Sequence, residues 1–327
     1  PTGLRSPAVA LELQRMTART RSLACLLGLV ILLFGSAAGA RAQDDASELS
    51  LFRPYGDFRL RLEQDWDSRK GDGTEHDDRL RLRFRIRLGL DLNISEHWRA
   101  RVQLRSGPHD SQQSPHITIY DFDGGPNGPY QFNFDYWYLS FRTGGLEVWA
   151  GRNQLSFWHQ DDLFLIDNVT FAGVGGSYSH PMAGGEMTWH ANYVALPVGM
   201  RDFSGTSLIA QAEFSREFSS TGFSLGAGYF GSRADPDDPA GEALLTENNT
   251  RDYDVLNLQL QHRSTVLGRP LRLGAEYGRN FRDYSQAPAG SFSEFHQKHV
   301  DGWVLEALWG PSGDAGDLQV GYYYSHM

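Results

Sequence analysis

Between residues 79 and 94 the chain reads Arg-Leu-Arg-Leu-Arg-Phe-Arg-Ile-Arg-Leu-Gly-Leu-Asp-Leu-Asn-Ile. Leu80, Leu82, Phe84, Ile86, Leu88, Leu90, Leu92 and Ile94 share one face, while Arg79, Arg81, Arg83, Arg85 and Arg87 open the other. The apolar period is two throughout, so the segment is a strand. At about 3.3 Å per residue it is roughly 50 Å long, against about 17–20 Å for a strand in a globular protein. Such length suits a tilted membrane strand. Arginine facing lipid costs about 2–4 kcal/mol at the bilayer midplane, so the leucine face is predicted to meet lipid and the arginine face water. The expected fold class is all-β, a transmembrane antiparallel up-and-down β-barrel with a wet lumen.

The same alternation recurs along the chain between clusters of Gly, Pro, Asn and Asp. Phe58, Leu60, Leu62 and Trp66 alternate with Arg59, Arg61, Glu63 and Asp65, and Trp98, Ala100, Val102 and Leu104 with Arg99, Arg101, Gln103 and Arg105. Further strands are predicted at 132–142, 146–153, 172–180, 186–196, 207–215, 222–231, 252–263, 270–280, 299–309 and 317–324, which makes thirteen. Bacterial single-chain barrels have an even number of strands, so an odd count predicts either an unread strand or a chain truncated at its C-terminus. Truncation is the expectation carried by the last strand, which ends at Ser325-His326-Met327 rather than at a terminal aromatic. Tyr136, Trp137, Tyr138, Trp149, Trp158, Trp189, Trp303 and Trp309 lie mostly near strand ends, where amphipathic rings settle at the headgroup boundary. A soluble sandwich is the competing fold, but it seldom sustains an alternation this long in one strand.

The first residues read as targeting sequence. Residues 1–15 form an upstream segment to which no function is assigned, and residues 16–42 a signal peptide. Met16, Arg19 and Arg21 precede an apolar run from Leu23 to Phe34, and Ala40-Arg41-Ala42 offers a cleavage site before Gln43. The barrel domain then occupies 43–327. Cys25, the only cysteine, falls inside the signal, so the mature chain is expected to use neither disulfides nor thiolate ligands. Of the 30 basic and 40 acidic residues, five arginines and one glutamate lie in 1–42, so the mature chain would carry a formal charge of −14. No nucleic-acid partner is expected of such an acidic exported chain. The acids gather in turn-like segments, while the early strands are dense in arginine.

If the first two strands form a hairpin with its turn near residue 72, opposing positions sum to 144. Asp65 then faces Arg79, Glu63 faces Arg81 and Asp57 faces Arg87, while Arg61 meets Arg83 and Arg59 meets Arg85. A second turn centred near Glu96 sets Arg101 against Asp91 and Arg105 against Arg87. Like charges placed opposite one another destabilise a sheet, so the excess around Arg59, Arg61, Arg83, Arg85 and Arg105 calls for water, salt, distant acids or an anionic ligand. Arg59, Arg61, Arg79, Arg81, Arg83, Arg85, Arg87, Arg99, Arg101 and Arg105 are therefore the candidate pore-lining residues, with a preference for anions as the predicted consequence. The plainer reading is a set of lumenal salt bridges that stiffen the wall. Residues 153–168 are long for a turn and rich in aromatics and acids. They read either as an inward-folded constriction loop involving Arg152, Trp158, Asp161 and Asp162, or as an exposed surface loop.

From Phe134 onward the chain resembles the bacterial putative-porin family of outer-membrane proteins and, more distantly, the alginate-export barrels. The likeness is carried by Phe134-Asp135-Tyr136-Trp137-Tyr138-Leu139 and by Gly151-Arg152-Asn153-Gln154-Leu155-Ser156-Phe157-Trp158 leading to Asp161-Asp162-Leu163. It resumes in Asp252-Tyr253-Asp254-Val255-Leu256-Asn257-Leu258, in Arg272 to Asn280 and in Gly316 to Tyr322. The resemblance implies a sixteen-stranded barrel and a channel in the bacterial outer membrane. Where that family usually has a proline before its Phe-Trp pair, this chain has Ser156.

The expected function is an outer-membrane porin, a passive diffusion channel favouring small anionic or acidic-sugar solutes. Its other partners would be outer-membrane lipid and lipopolysaccharide, and a homotrimer is the assembly to test. An export or uptake barrel for a polyuronate such as alginate is the alternative, since repeated carboxylates could pass along guanidinium groups. A barrel hydrolase using His190 and Asn192 is a further alternative, weakened because no serine is tied to them by a motif. A plugged adhesion barrel is the structural one. His296 and His299 make a weak metal pair, so no metal, no cofactor and no catalytic residue is expected.

Overall fold

The computed structural model describes residues 51–66, 78–110, 112, 115–122, 130–160, 168–239, 241, 252–287, 294, 297–298, 300–312, 314 and 316–326. The upstream segment, the signal peptide, the turn centre near residue 72, Asp161, Asp162, His296 and His299 lie outside the described residues.

Fourteen strands are described: β1 Phe52–Asp65, β2 Arg79–Asn93, β3 Trp98–Ser106, β4 Ile117–Asp121, β5 Phe132–Thr143, β6 Leu146–Asn153, β7 Phe171–Met182, β8 Gly185–Val198, β9 Asp202–Glu217, β10 Thr221–Arg233, β11 Tyr253–Val266, β12 Arg269–Asn280, β13 Asp301–Trp309 and β14 Val320–His326. All pairings are antiparallel, and the hydrogen-bonded path runs in chain order from β1 to β14 with only β4 off it. The thirteen strands on that path are the thirteen the alternation predicts. β4 is the unread one. It has five residues, too few for its alternation to stand out, and pairs with the first half of β2, from Arg81↔Asp121 to Phe84↔Ile117. β3 takes up the second half, from Arg87↔Arg105 to Asn93↔Arg99.

Charge patterning sets the register of the first hairpins as expected. Asp65↔Arg79, Glu63↔Arg81, Arg61↔Arg83, Arg59↔Arg85 and Asp57↔Arg87 are direct partners, as are Asp91↔Arg101 and Arg87↔Arg105.

The burial is inverted relative to a water-soluble sheet. On β8, β9 and β11 the buried residues include Asn192, Ser207, Gln211, Asn257, Gln259 and Gln261, interspersed with Val194, Ile209 and Val255, while Tyr193, Leu208, Leu256, Leu258 and Leu260 are exposed. Adjacent residues show the contrast: Asn192 is 2% exposed and Tyr193 58%. Successive side chains of a strand point to opposite faces, so one face of the sheet is apolar and the other largely polar, with Trp149, Val194 and Ile209 set among its amides. A large exposed apolar face costs free energy in water and none in hydrocarbon, where the antiparallel ladder satisfies the backbone of the paired strands.

Connections differ in length between the two ends of the sheet. Residues 94–97, 144–145, 183–184, 218–220, 267–268 and 310–319 join strands at one end. Residues 66–78, 107–131, 154–170, 199–201, 234–252 and 281–300 join them at the other, with 199–201 the one short connection there. In outer-membrane barrels the short turns are periplasmic and the longer loops extracellular. Two of the short turns place both central residues at positive φ, Ala183 (50°) with Gly184 (76°) and Leu267 (55°) with Gly268 (71°). This is the hairpin geometry whose twist matches the flanking strands, and it suits Asn-Gly better than Leu-Gly. Leu267 is 87% exposed and gains no packing in return. Leu267→Asn is expected to raise stability by about 1 kcal/mol, read as a higher urea midpoint in lipid vesicles.

Candidate functional site

On the polar face of β1 and β2, between 57 and 65 and between 79 and 87, Arg59, Arg61, Arg79, Arg81, Arg83, Arg85 and Arg87 share three carboxylates, those of Asp57, Glu63 and Asp65. Alternation brings them to one face, and the register leaves Arg59↔Arg85 and Arg61↔Arg83 as like-charge partners. The long side chains therefore reach diagonally. Glu63 contacts Arg61 and accepts from Arg81 at 2.5 Å and Arg83 at 2.9 Å. Asp65 takes Arg81 at 2.6 Å and Arg79 at 3.4 Å. Arg85 donates through two nitrogens to Asp57 Oδ1, at 2.8 and 2.6 Å, and Arg101 forms a two-point pair with Asp91 at 2.6 and 3.0 Å. Such charge-assisted, partly forked pairs order the arginines without neutralising them.

Two of the sequence-predicted residues have a different place. Arg105 and Arg152 are 1% and 2% exposed, so neither presents a surface to a passing solute. Parity puts them on the polar face, but loop segments cover them. Arg105 Nη1 donates to the carbonyls of Gln112 (3.0 Å) and Asn168 (3.3 Å). Arg152 donates to Thr170 Oγ1 at 2.7 Å and to the Met200 carbonyl at 2.5 Å, with its guanidinium over the Phe203 ring. Between them, Gln112 donates to the carbonyls of Thr170 and Gly199 and accepts from the Thr170 N–H. Three separate connections, around 112, 170 and 200, are thus sewn together over the wall.

The segment 154–160 that follows β6 crosses the polar face of the sheet. Its Phe157 joins Trp149, Phe171, Val194 and Ile209 in a buried cluster against which Leu155 also packs. Gly226 and Gly228 leave room for it, because a Cβ there would come within 3.0 Å of the Trp158 ring and 2.8 Å of the Phe157 ring. Its backbone is held by side-chain amides. The Ser156 N–H donates to Asn192 Oδ1 and the Ser156 carbonyl accepts from Asn192 Nδ2, both at 2.9 Å. Trp158 is bound in the same two-way manner by Gln211, at 2.7 Å each way, and the Gln160 N–H donates to Gln259 Oε1 at 3.2 Å.

His190 and Asn192 do share a face of β8, but Asn192 is engaged with the Ser156 backbone and His190 Nε2 lies 3.5 Å from Glu213. Among the described residues no cluster of three or more His, Cys, Asp or Glu is placed to hold a metal ion. Gln112, Gln211 and Gln259 carry much of this arrangement, and their one sequence signal is an uncharged amide at an inward-facing or loop position.

Residues 69–221 match the family model described as putative porin, which decides the kinship of the arginine strand and the infolded segment together. This chain is similar to the putative porins over that stretch. Among solved structures, the high-pH form of Pseudomonas putida OprB shares the fold, with a TM-score of 0.51 at 14% identity over 84% of this chain and 74% of that one. In-vitro folded OmpT of Vibrio cholerae, in its trimer form, aligns with a TM-score of 0.44 at 10% identity over 83% and 88% of the two chains. No curated protein sequence matches significantly. The family match and the inverted burial place this porin-fold chain in the bacterial outer membrane as an all-β barrel protein.

Proposed function

We propose that this porin-family chain walls a passive diffusion channel whose arginine face favours small anionic or acidic solutes. The observation that carries the reading is the pairing Arg59↔Arg85 beside Arg61↔Arg83, where among the described residues of β1 and β2 seven guanidiniums meet three carboxylates, with Asp121 of β4 opposite Arg81 as a fourth. Across an aqueous bore no wider than the screening length of about 8–10 Å, that excess raises the local anion concentration. The apolar exterior keeps the arginines turned toward water.

Reconstitution in a planar bilayer under a KCl gradient tests it. The reversal potential is expected to show chloride permeating faster than potassium. A ratio at or below one would remove the anion preference, and an absence of conductance would remove the channel.

The regular step of Arg79, Arg81, Arg83, Arg85 and Arg87, about 6.6 Å per alternate residue, favours one second reading: passage of a polyuronate. Liposome swelling separates the two, with uronate oligomers entering faster than neutral sugars of equal size only if the ladder engages carboxylates in series.

A further inference from the structure

The segment 154–160 runs across the strands instead of along them. Four extended residues, from Ser156 to Gln160, cover about 13–14 Å, and three strand spacings, from β8 to β11, cover about 14 Å. Residues 156, 158 and 160 therefore fall in turn over Asn192 of β8, Gln211 of β9 and Gln259 of β11. The backbone groups of those strands are already used in their own ladder. A transverse peptide gets no help from them and needs partners that stand up from the sheet. A primary amide offers an uncharged donor and acceptor side by side at every pH, as a peptide unit does. Asn192 and Gln211 each use both atoms in this way, and all three amides are buried.

We infer that Asn192, Gln211 and Gln259 are positioning residues that hold 156–160 as a fixed transverse strut on the polar face, so that the water-filled cross-section is set by a static element. The inference rests on the channel reading of that face. It differs from a packing role because it depends on the amide's donor as well as its acceptor. A glutamate at 211 is the same size but, when ionised, accepts only, and it would turn a negative charge toward the Trp158 carbonyl. When protonated it regains an O–H donor beside a carbonyl acceptor and again resembles the amide.

The test is Gln211→Glu in a planar bilayer, read against wild type at each pH, since His159 in the segment, His190 and Glu213 on β8 and β9, and Glu276 on β12 also titrate. Wild type is expected to conduct quietly at pH 8 and pH 4. The variant should show open-channel noise at least about tenfold greater at pH 8, reverting to the wild-type trace at pH 4. Asn192→Asp, chosen on the same logic, should behave alike. Variants that fold, shown by heat-modifiable migration in detergent gels, and stay as quiet as wild type at both pH values would overturn the inference. Hydrogen exchange on the unmodified protein gives a reading that needs no conduction: the Ser156, Trp158 and Gln160 amides should exchange at least about a hundredfold slower than an unstructured peptide. Unprotected amides in a conducting channel would overturn the strut alone. Protected amides in a protein that does not conduct would overturn the channel reading and leave the strut standing.

Discussion

Arg152→Met is expected to lower stability by about 2–4 kcal/mol and to raise single-channel conductance. The guanidinium is almost wholly buried and bonds to the Thr170 hydroxyl and the Met200 carbonyl, residues that belong to two different connections. Methionine fills a similar volume but donates to neither. The Met200 carbonyl is then stranded away from water and the Thr170 hydroxyl is left with its donation to Gln112 Oε1 alone, at about 1–3 kcal/mol for each lost bond, partly offset because a charge no longer has to be desolvated. Arg152→Lys should recover only part of the loss, because a single ammonium lacks the planar fork that reaches both partners. Urea unfolding in lipid vesicles gives the stability, and planar-bilayer recording the conductance. A methionine variant with wild-type midpoint and wild-type conductance would show that the buried guanidinium fastens nothing.

Glu63→Gln has the second large expected effect, in two directions at once. Glu63 is the shared acceptor of Arg61, Arg81 and Arg83 and is itself largely covered. Losing its charge leaves three guanidiniums crowded with Asp65 and, opposite Arg81, Asp121 as the neighbouring acids. We expect a cost of about 2–3 kcal/mol, below the about 3–5 kcal/mol of a fully buried broken pair because water reaches this face. The same change adds one net positive charge to the wall, so the chloride-to-potassium ratio should rise. Raising the salt to 1 M, where the screening length is about 3 Å, should shrink both effects. A variant that is destabilised with unchanged selectivity would mean that the pairs stiffen the wall and do not filter ions.

The strand path was legible in the residues because alternation is a local property, and the early registers were legible because opposite charges at Asp57, Glu63, Asp65 and Asp91 select one alignment among neighbours. Ile117–Asp121 escaped because five residues bracketed by Pro115 and the turn at Phe122 give too few alternations to count. The same parity rule that puts Arg105 and Arg152 on the polar face says nothing of what covers that face. Arg105 reads as pore-lining and Arg152 as part of a constriction loop, whereas connections distant in sequence bury both. Gln211 and Gln259 were invisible for a related reason. Their partners are Trp158 and Gln160, 53 and 99 residues away, and no pattern of charge or period links them. The reading of 153–168 stayed divided because its outcome depends on which inward side chains offer both a donor and an acceptor.

β2 is longer than lipid requires. An apolar band of about 25 Å crossed at a tilt of about 35–45° takes some ten residues, and β2 has fifteen. The surplus lies at the end where the long connections meet, where β4 replaces β3 as its neighbour. In the proposed channel, Arg79, Arg81 and Arg83 would form a collar standing above the hydrocarbon, ahead of the passage. A collar of that charge acts on encounter before it acts on transit: it would gather dilute anions from the surroundings, and the gain would be greatest in fresh water and smallest in brine.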